Sequence, residues 1–183
     1  WFFDFPTSAK KVISLLEQSD LYQSKSAQFE GGIAINTNVL KTVFEIIWPV
    51  KLEKYGLEIN NNNFLEEIQR EVEVGRDKKP GRNPKRILSA LTPLIMEKLQ
   101  SLDANQKKSL MEKVKAHLTN KDIMLYFKDW KIQNFFEKTG IAGDMLRLPK
   151  NFSGDYLAVV NANVGGGKSD AFVNQKIILE SSI

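Results

Sequence analysis

Residues 84–102 read PKRILSALTPLIMEKLQSL, and residues 103–118 continue with DANQKKSLMEKVKAHL. Apolar side chains recur at intervals of three and four in both stretches, which is the period of an amphipathic helix. Asp103 and Gln106 have the spacing of a capping box, so a second helix is expected to begin there. The short connection between two helices of similar length predicts a long helical hairpin at about 84–118.

Helical periodicity also marks segments on either side of this hairpin. Pro6 suits the first turn of an N-terminal helix, and Asn36 or Asn38 can cap a helix that ends before Trp48-Pro49. Asn63 with Glu66 forms another capping-box pattern. The predicted buried faces include Val12, Leu15 and Leu16 in the N-terminal helix and Leu110, Met111, Val114 and Leu118 in the second hairpin helix.

Short apolar runs between the helical segments predict strands. Gly31–Ile35 is interpreted as a short buried strand and Ile123–Phe127 as a second strand, with further strands at Tyr156–Ala162 and Val173–Leu179. Helices and strands that alternate along the chain predict an α/β or α+β fold, with a mixed sheet packed against helices. We expect residues 1–183 to form a single domain.

The composition excludes several classes of function. The chain has 183 residues, of which 42% are hydrophobic and none is cysteine, so disulfides, thiol catalysis and cysteine-ligated metal sites are excluded. The longest apolar runs are well short of the roughly 20 residues that a membrane-spanning helix requires. No set of spaced histidines and carboxylates indicates a metal site, and no cofactor is predicted.

The net charge of +4 comes from one segment. Residues 70–86 contain seven basic and three acidic side chains, and charges elsewhere in the chain balance. Such a cluster predicts either a local anion site or a solvated basic loop. No aromatic residue lies between Phe64 and Tyr126, which argues against nucleic-acid binding. The anion-binding candidates in this segment are Arg70, Arg76, Arg82, Lys85 and Arg86.

A glycine triplet at 165–167, followed by Lys168 and Ser169, resembles the end of a phosphate-binding loop. The pattern is incomplete, because Ala162 occupies the position of its first glycine and the following residues favour a strand over a helix. The sequence therefore argues against a nucleotide site. Lys168 and Ser169 remain anion-binding candidates, and the alternative is an ordinary turn between two strands.

His117 is the one histidine of the chain. It lies near a predicted helix end, where a protonated imidazole interacts favourably with the helix dipole. No neighbouring serine or carboxylate pattern marks it as a catalytic base, so a surface or capping role is the favoured interpretation. No constellation of acid, base and nucleophile can be assembled from the sequence, and whether the chain is an enzyme stays open.

Several phrases together resemble a known bacterial family. They are DFPTSA at 4–9, GIAI at 32–35, KDIMLYF at 121–127 and, above all, DYLAVVNANVGGGKSD at 155–170. The chain resembles the later part of the family called domain of unknown function 4012. This resemblance implies a piece of a longer extracytoplasmic protein, anchored to the membrane by a segment outside this chain.

A second similarity concerns the strand at 33–35, the helix after it and the turn at 48–50. This order is similar to that of LytR-CpsA-Psr domains, which transfer glycopolymers from polyprenyl-pyrophosphate lipids to the cell wall. Two functions are therefore expected. The first is a cell-envelope binding or assembly module, and the alternative is an enzyme or binder that acts on a phosphate-bearing lipid or glycopolymer. The implied partners are an envelope glycopolymer or a phospholipid headgroup.

Overall fold

The computed structural model describes residues 4–75, 85–146, 148–154, 157, 159 and 173–180. The chain divides into two compact units, Phe3–Leu146 and Arg147–Ile183. All the helices and strands of the described residues belong to the first unit. The single domain expected over residues 1–183 stays a prediction.

Helices and short strands alternate through the first unit, which confirms the predicted mixed class of fold. None of the helices in the described part of the chain is long and apolar enough to cross a membrane. The strands are β1 (Gly31–Ile35), β2 (Val50–Leu52), β3 (Leu57–Ile59) and β4 (Ile123–Phe127). The helices are α1 (Phe5–Glu17), α2 (Asp20–Gln23), α3 (Thr37–Ile47), α4 (Phe64–Val74), α5 (Arg86–Gln100), α6 (Ala104–Thr119) and α7 (Trp130–Lys138).

The helix caps follow the sequence signals in most places. Asp103 accepts a hydrogen bond from the Gln106 amide at 2.8 Å, and the Gln106 side chain accepts one from the Asp103 amide at 3.0 Å. Asn36, one of the two predicted caps, accepts from the amides of Asn38 and Val39 at the start of α3. The capping box expected at Asn63 is wrong. Its side-chain oxygen accepts instead from the Asn60 amide in the preceding turn.

The four strands form two antiparallel pairs. β1 pairs with β4, and Ile33 lies opposite Leu125. α1 packs on one face of this pair, where Ala9 and Ile13 lie close to Gly32. α7 packs on the other face of β4, where the Phe127 and Phe136 ring centroids are 5.5 Å apart. β4 therefore lies between α1 and α7.

The main core lies between the β2–β3 hairpin and helices α3, α4 and α5. The Phe44 and Phe64 rings are fully buried and 5.2 Å apart at its centre. Ile87 and Leu91 of α5 are buried against the same cluster. This core fixes α5 next to β2, which positions the groove described below.

The predicted helices at 84–118 are confirmed as α5 and α6. Both of them contact α3, and α6 packs more extensively on α3 than on α5. The reason is that α3 presents an apolar face, including Leu40 and Phe44, to the same cluster that α5 and α6 contact. The two helices are therefore held together largely through α3.

Three predicted burial patterns are wrong in detail. Val12, Leu15 and Leu16 of α1 are exposed, because the helix approaches the strands through Ala9 and Ile13 over Gly32, which has no side chain. Met111 of α6 is exposed, since the helix docks through the side that carries its other apolar residues. β1 was expected to be buried, and yet Ile33 and Ile35 are 63% and 54% exposed.

The second unit is described at 148–154, 157, 159 and 173–180, and these residues contain no helix or strand. The strand expected at Val173–Leu179 is wrong, because a strand needs a paired neighbour and no described strand lies beside this segment. Of the strand expected at 156–162, Leu157 and Val159 are described, and both are exposed outside any strand. The glycine triplet at 165–167 lies outside the described residues.

Gly143 is a position where only glycine fits. Its φ is +77°, and a Cβ atom there would lie 2.6 Å from the Met124 side chain of β4. We expect Gly143→Ala to lower the free energy of unfolding by about 1–3 kcal/mol, through backbone strain and this clash. Gly56 has φ +63° but open space around it, so Gly56→Ala should show the strain alone. If urea unfolding shows equal losses of unfolding free energy for the two variants, the predicted clash with Met124 is wrong.

Candidate functional site

The structure describes three residues of the predicted basic cluster, namely Arg70, Lys85 and Arg86. Arg70 lies on α4 and forms an ion pair with Glu67, one turn earlier. Lys85 and Arg86 are exposed at the start of α5. Arg76, Arg82, Lys168 and Ser169 lie outside the described residues. The anion site at these seven positions therefore stays a prediction.

A polar network that the sequence did not predict joins α3 to the turn between α6 and β4. The Nδ1 atom of His117 is 2.7 Å from the Asp122 carboxylate, and its Nε2 atom is 2.8 Å from the Thr42 hydroxyl. All three side chains are half-buried or nearly buried. With Nδ1 donating to the carboxylate, a neutral imidazole accepts at Nε2 from the Thr42 hydroxyl.

Asp122 is the hub of this network. Its Oδ1 atom accepts hydrogen bonds from the side-chain amides of Asn36 and Asn38, while Oδ2 faces His117. Its backbone carbonyl accepts from the Asn36 amide at 3.0 Å. The β1–α3 turn and the α6–β4 turn are therefore tied together by both side chains and backbone, and the network fixes α3 and α6 relative to β1 and β4.

These contacts favour the charged carboxylate. The hydrogen bond from His117, together with those from Asn36 and Asn38, lowers the pKa of Asp122 below its ordinary value. Desolvation of the carboxyl acts in the opposite direction and is outweighed. The network is therefore expected to stabilise the fold wherever Asp122 is ionised.

The order Thr42–His117–Asp122 has the hydrogen-bond pattern of a nucleophile, base and orienting acid. Acyl transfer also needs amide donors next to the nucleophile to stabilise an oxyanion. Thr42 lies in the middle of α3, where the neighbouring amides donate to helix carbonyls and cannot serve in this way. The network is therefore structural. The surface or capping role expected for His117 is wrong, because its side chain is only 13% exposed and bridges Thr42 of α3 to Asp122.

A groove of about 500 Å³ lies between β2 and the end of α5. Its lining combines apolar residues, among them the buried Val50, with two lysines and one glutamate. A second groove of about 350 Å³ shares Lys51 and Leu94 with it and adds Lys54. The larger groove is lined by Pro49, Val50, Lys51, Leu94, Glu97, Lys98 and Ser101.

The charges of the groove suit a hydrated anion better than a buried one. Lys51 is exposed on β2 and Lys98 is half-buried on α5, and lysine side chains of this kind keep their ammonium groups in water while their aliphatic stems cover apolar surface. The indole of Trp48, next to Pro49, is 53% exposed. Lysine ammonium groups can bind phosphate, and an exposed indole can pack on a sugar ring.

Sequence reasoning missed this groove because α4 and most of α5 separate Lys51 from Lys98 along the chain, and no motif joins the two lysines. Trp48-Pro49 was the one visible signal, and it was interpreted as a helix end and as the turn in the similarity to LytR-CpsA-Psr domains, not as part of a groove. The grooves lack a metal-ligand set as well: in the described part of the chain, no group of three His, Cys, Asp or Glu side chains is placed to hold a metal ion.

No protein-family model, curated protein or solved structure matches the chain. The resemblances to domain of unknown function 4012 and to LytR-CpsA-Psr domains therefore stay predictions. The geometry of the described residues carries the functional argument.

Proposed function

We propose that this chain is a non-catalytic binding module of the bacterial cell envelope, acting outside the cytoplasm. Its ligand is a phosphate-bearing glycopolymer or lipid headgroup, bound in the groove between β2 and α5. The extracytoplasmic setting and the anchor outside this chain rest on the family resemblance. The ligand class rests on the groove.

The observation that carries the proposal is that Lys51 and Lys98 line the same groove as Pro49, Val50 and Leu94. Phosphate oxygens accept hydrogen bonds from ammonium groups, and such charge-assisted bonds are about twice as strong as neutral ones. Leu94 and Pro49 offer apolar contact to the carbon skeleton of a sugar or glycerol unit. Ser101 and Glu97 add a hydroxyl and an acceptor for ligand hydroxyl groups.

The residues that line the groove favour binding over catalysis. The groove contains one carboxylate, Glu97, and no nucleophile held by a base. His117, the one histidine, is occupied between Thr42 and Asp122. Two lysines in an open groove can bind a phosphate-bearing ligand. General acid–base catalysis would also need a proton donor or acceptor positioned next to the reacting bond.

The test is a titration of the chain with a poly(glycerol phosphate) chain and, separately, with phosphatidylglycerol vesicles. We expect Lys51→Ala and Lys98→Ala each to weaken binding roughly tenfold at low salt, through loss of one charge-assisted contact. Isothermal titration calorimetry measures the polymer, and vesicle co-sedimentation measures the lipid. Phosphatidylcholine vesicles provide the uncharged comparison.

Lys108→Ala and Lys115→Ala are the matched controls, because these lysines are exposed on α6 and lie outside both grooves. They remove the same net charge and should leave affinity nearly unchanged. An equal loss in all four variants would mean that binding follows net charge alone. The groove assignment would then be wrong.

A second candidate function is favoured by the position of the groove. Pro49 and Val50 line it, and they belong to the turn that is similar to LytR-CpsA-Psr domains. An enzyme of that kind would release phosphate or transfer a glycopolymer from a pyrophosphate-linked lipid. Incubation with such a lipid, followed by product detection, separates the two functions, since the binding module leaves the substrate intact.

A further inference from the structure

In the part of the chain that the structure describes, the outer edge of β1 has no paired strand. The Asn36 amide donates to the Asp122 carbonyl, and the Lys128 amide donates to the Glu30 carbonyl. The even-numbered residues of this segment therefore turn their backbone amides and carbonyls toward β4. Antiparallel strands alternate in this respect, so Gly31, Ile33 and Ile35 turn their amides and carbonyls away from β4. Within the described ranges no strand pairs with them.

The side chains at this edge make it unusual for a free strand. Ile33 and Ile35 are 63% and 54% exposed, although both are large and aliphatic. Residues 31–35 include no charge and no proline, the devices that protect exposed strand edges from pairing. An uncharged, apolar edge is a template for another strand.

We propose that β1 pairs with β1 of a second copy of this chain, forming a continuous four-stranded antiparallel sheet in the order β4–β1–β1–β4. The interface is isologous, with a two-fold axis at Ile33. In this register Ile33 lies opposite Ile33 of the other copy, and Ile35 lies opposite Gly31. All five residues of β1 are then paired.

The strand is complementary to itself in this register. On each side of the central Ile33 pair, Ile35 of one copy would lie opposite Gly31 of the other copy. Because Gly31 has no side chain, it leaves room for the isoleucine. Directly opposite residues share a face, so the four Ile33 and Ile35 side chains cluster on the side of the sheet where α7 covers β4. No charged residue of β1 is desolvated by the pairing.

A second copy is favoured over an unrelated peptide by symmetry. Two-fold dimers are the commonest soluble oligomers, and they require a surface that complements itself. The Glu30 residues at the ends of the strand lie opposite Asn36 of the other copy in this register, so like charges do not oppose each other. The interface is distinct from the β2–α5 groove and does not depend on the proposed ligand.

Cysteine substitution tests the register directly, because the chain has no native cysteine. The hydrogen-bonded Ile33 pair would place its two Cα atoms about 5.5 Å apart, which is within the range that a disulfide spans. We expect Ile33→Cys to form a disulfide-linked dimer under mild oxidation. Ala34→Cys is the matched control, since it lies opposite Gly32 of the other copy and should remain a monomer on a denaturing gel.

Oligomeric state provides the second measurement. Sedimentation equilibrium of the unmodified chain should give twice the monomer mass, and Ile33→Lys should weaken the dimer roughly a hundredfold by placing two ammonium groups face to face. Val12→Lys, on exposed α1, should leave the dimer intact. Circular dichroism of each variant shows that it is folded.

A wild-type chain that sediments as a monomer would overturn the proposal. A dimer that persists in Ile33→Lys would overturn it too, because the interface would then lie elsewhere. Equal cross-linking of Ile33→Cys and Ala34→Cys would exclude the register.

Discussion

Phe44→Ala is expected to lower the free energy of unfolding by about 3–5 kcal/mol, the range for removing a fully buried aromatic ring. Phe44 has no exposed surface and lies 5.2 Å from the Phe64 ring at the centre of the main core. Loss of the ring leaves a cavity between α3, α4 and the β2–β3 hairpin, and these elements cannot all move to fill it. Urea unfolding followed by circular dichroism measures the loss.

Phe135→Ala provides the matched control, because it is also a phenylalanine in a helix but is 59% exposed. We expect it to lower the free energy of unfolding by less than about 1 kcal/mol. The core also places α5 against β2, so Phe44→Ala should weaken ligand binding in the groove as well as stability. Equal stability losses for the two variants would mean that the ring of Phe44 is not in the core.

Helix positions could be predicted from the sequence because their causes are local. The capping residues Asp103 and Asp129 bond to amides two or three residues away, and apolar spacing fixes the extent of each helix. Burial could not be predicted in the same way. Which side of α1 is buried depends on Gly32, more than ten positions from the helix, and periodicity alone gives no information about that contact.

The polar network and the groove were missed for the same physical reason. His117 and Thr42 are 75 positions apart, and Asp122 and Asn36 are 86 apart, so no short sequence window contains either pair. His117 and Asp122 are 5 apart, but that spacing matches no catalytic motif. The groove brings Lys51 next to Lys98 only after Phe44, Ile87 and other core residues have packed α5 on β2. The basic run at 70–86, by contrast, is conspicuous in the sequence because its charges are adjacent.

The predicted dimer and the predicted ligand site occupy different parts of the first unit. β1 and β4 form the sheet that has an unpaired edge among the described residues, and β2 with α5 forms the groove. Two copies would therefore present two grooves. A repeating anionic polymer could engage both, and binding would then be stronger than that of either groove alone if the spacing allowed it. Ile33→Lys should remove this gain while leaving the affinity of a single groove unchanged.

Asp122→Asn is expected to destabilise the fold at neutral pH and to do so much less in acid. The carboxylate accepts from His117, Asn36 and Asn38, and these bonds lower its pKa below the ordinary value. In the unfolded chain the group titrates at about 3.9. Around that pH the unfolded chain therefore binds more protons than the folded one, so the stabilisation from Asp122 is complete above about pH 5 and is lost as the pH falls through the folded pKa.

The measurement is the thermal midpoint of the wild type and of Asp122→Asn over a series of pH values from neutral to acid. The two midpoints should differ by several degrees at neutral pH. The difference should begin to shrink below about pH 5 and close only as the pH falls through the folded pKa, because protonation then removes in the wild type what the substitution removes in the variant. Glu17 also loses its bond from Lys128 in acid, but this loss is common to both proteins and cancels in the difference. Asp20→Asn, at an exposed aspartate of α2, should have a small effect throughout. A difference that stays constant into acid would mean that the charge of Asp122 contributes nothing, and that its neutral hydrogen bonds alone join the β1–α3 turn to the α6–β4 turn.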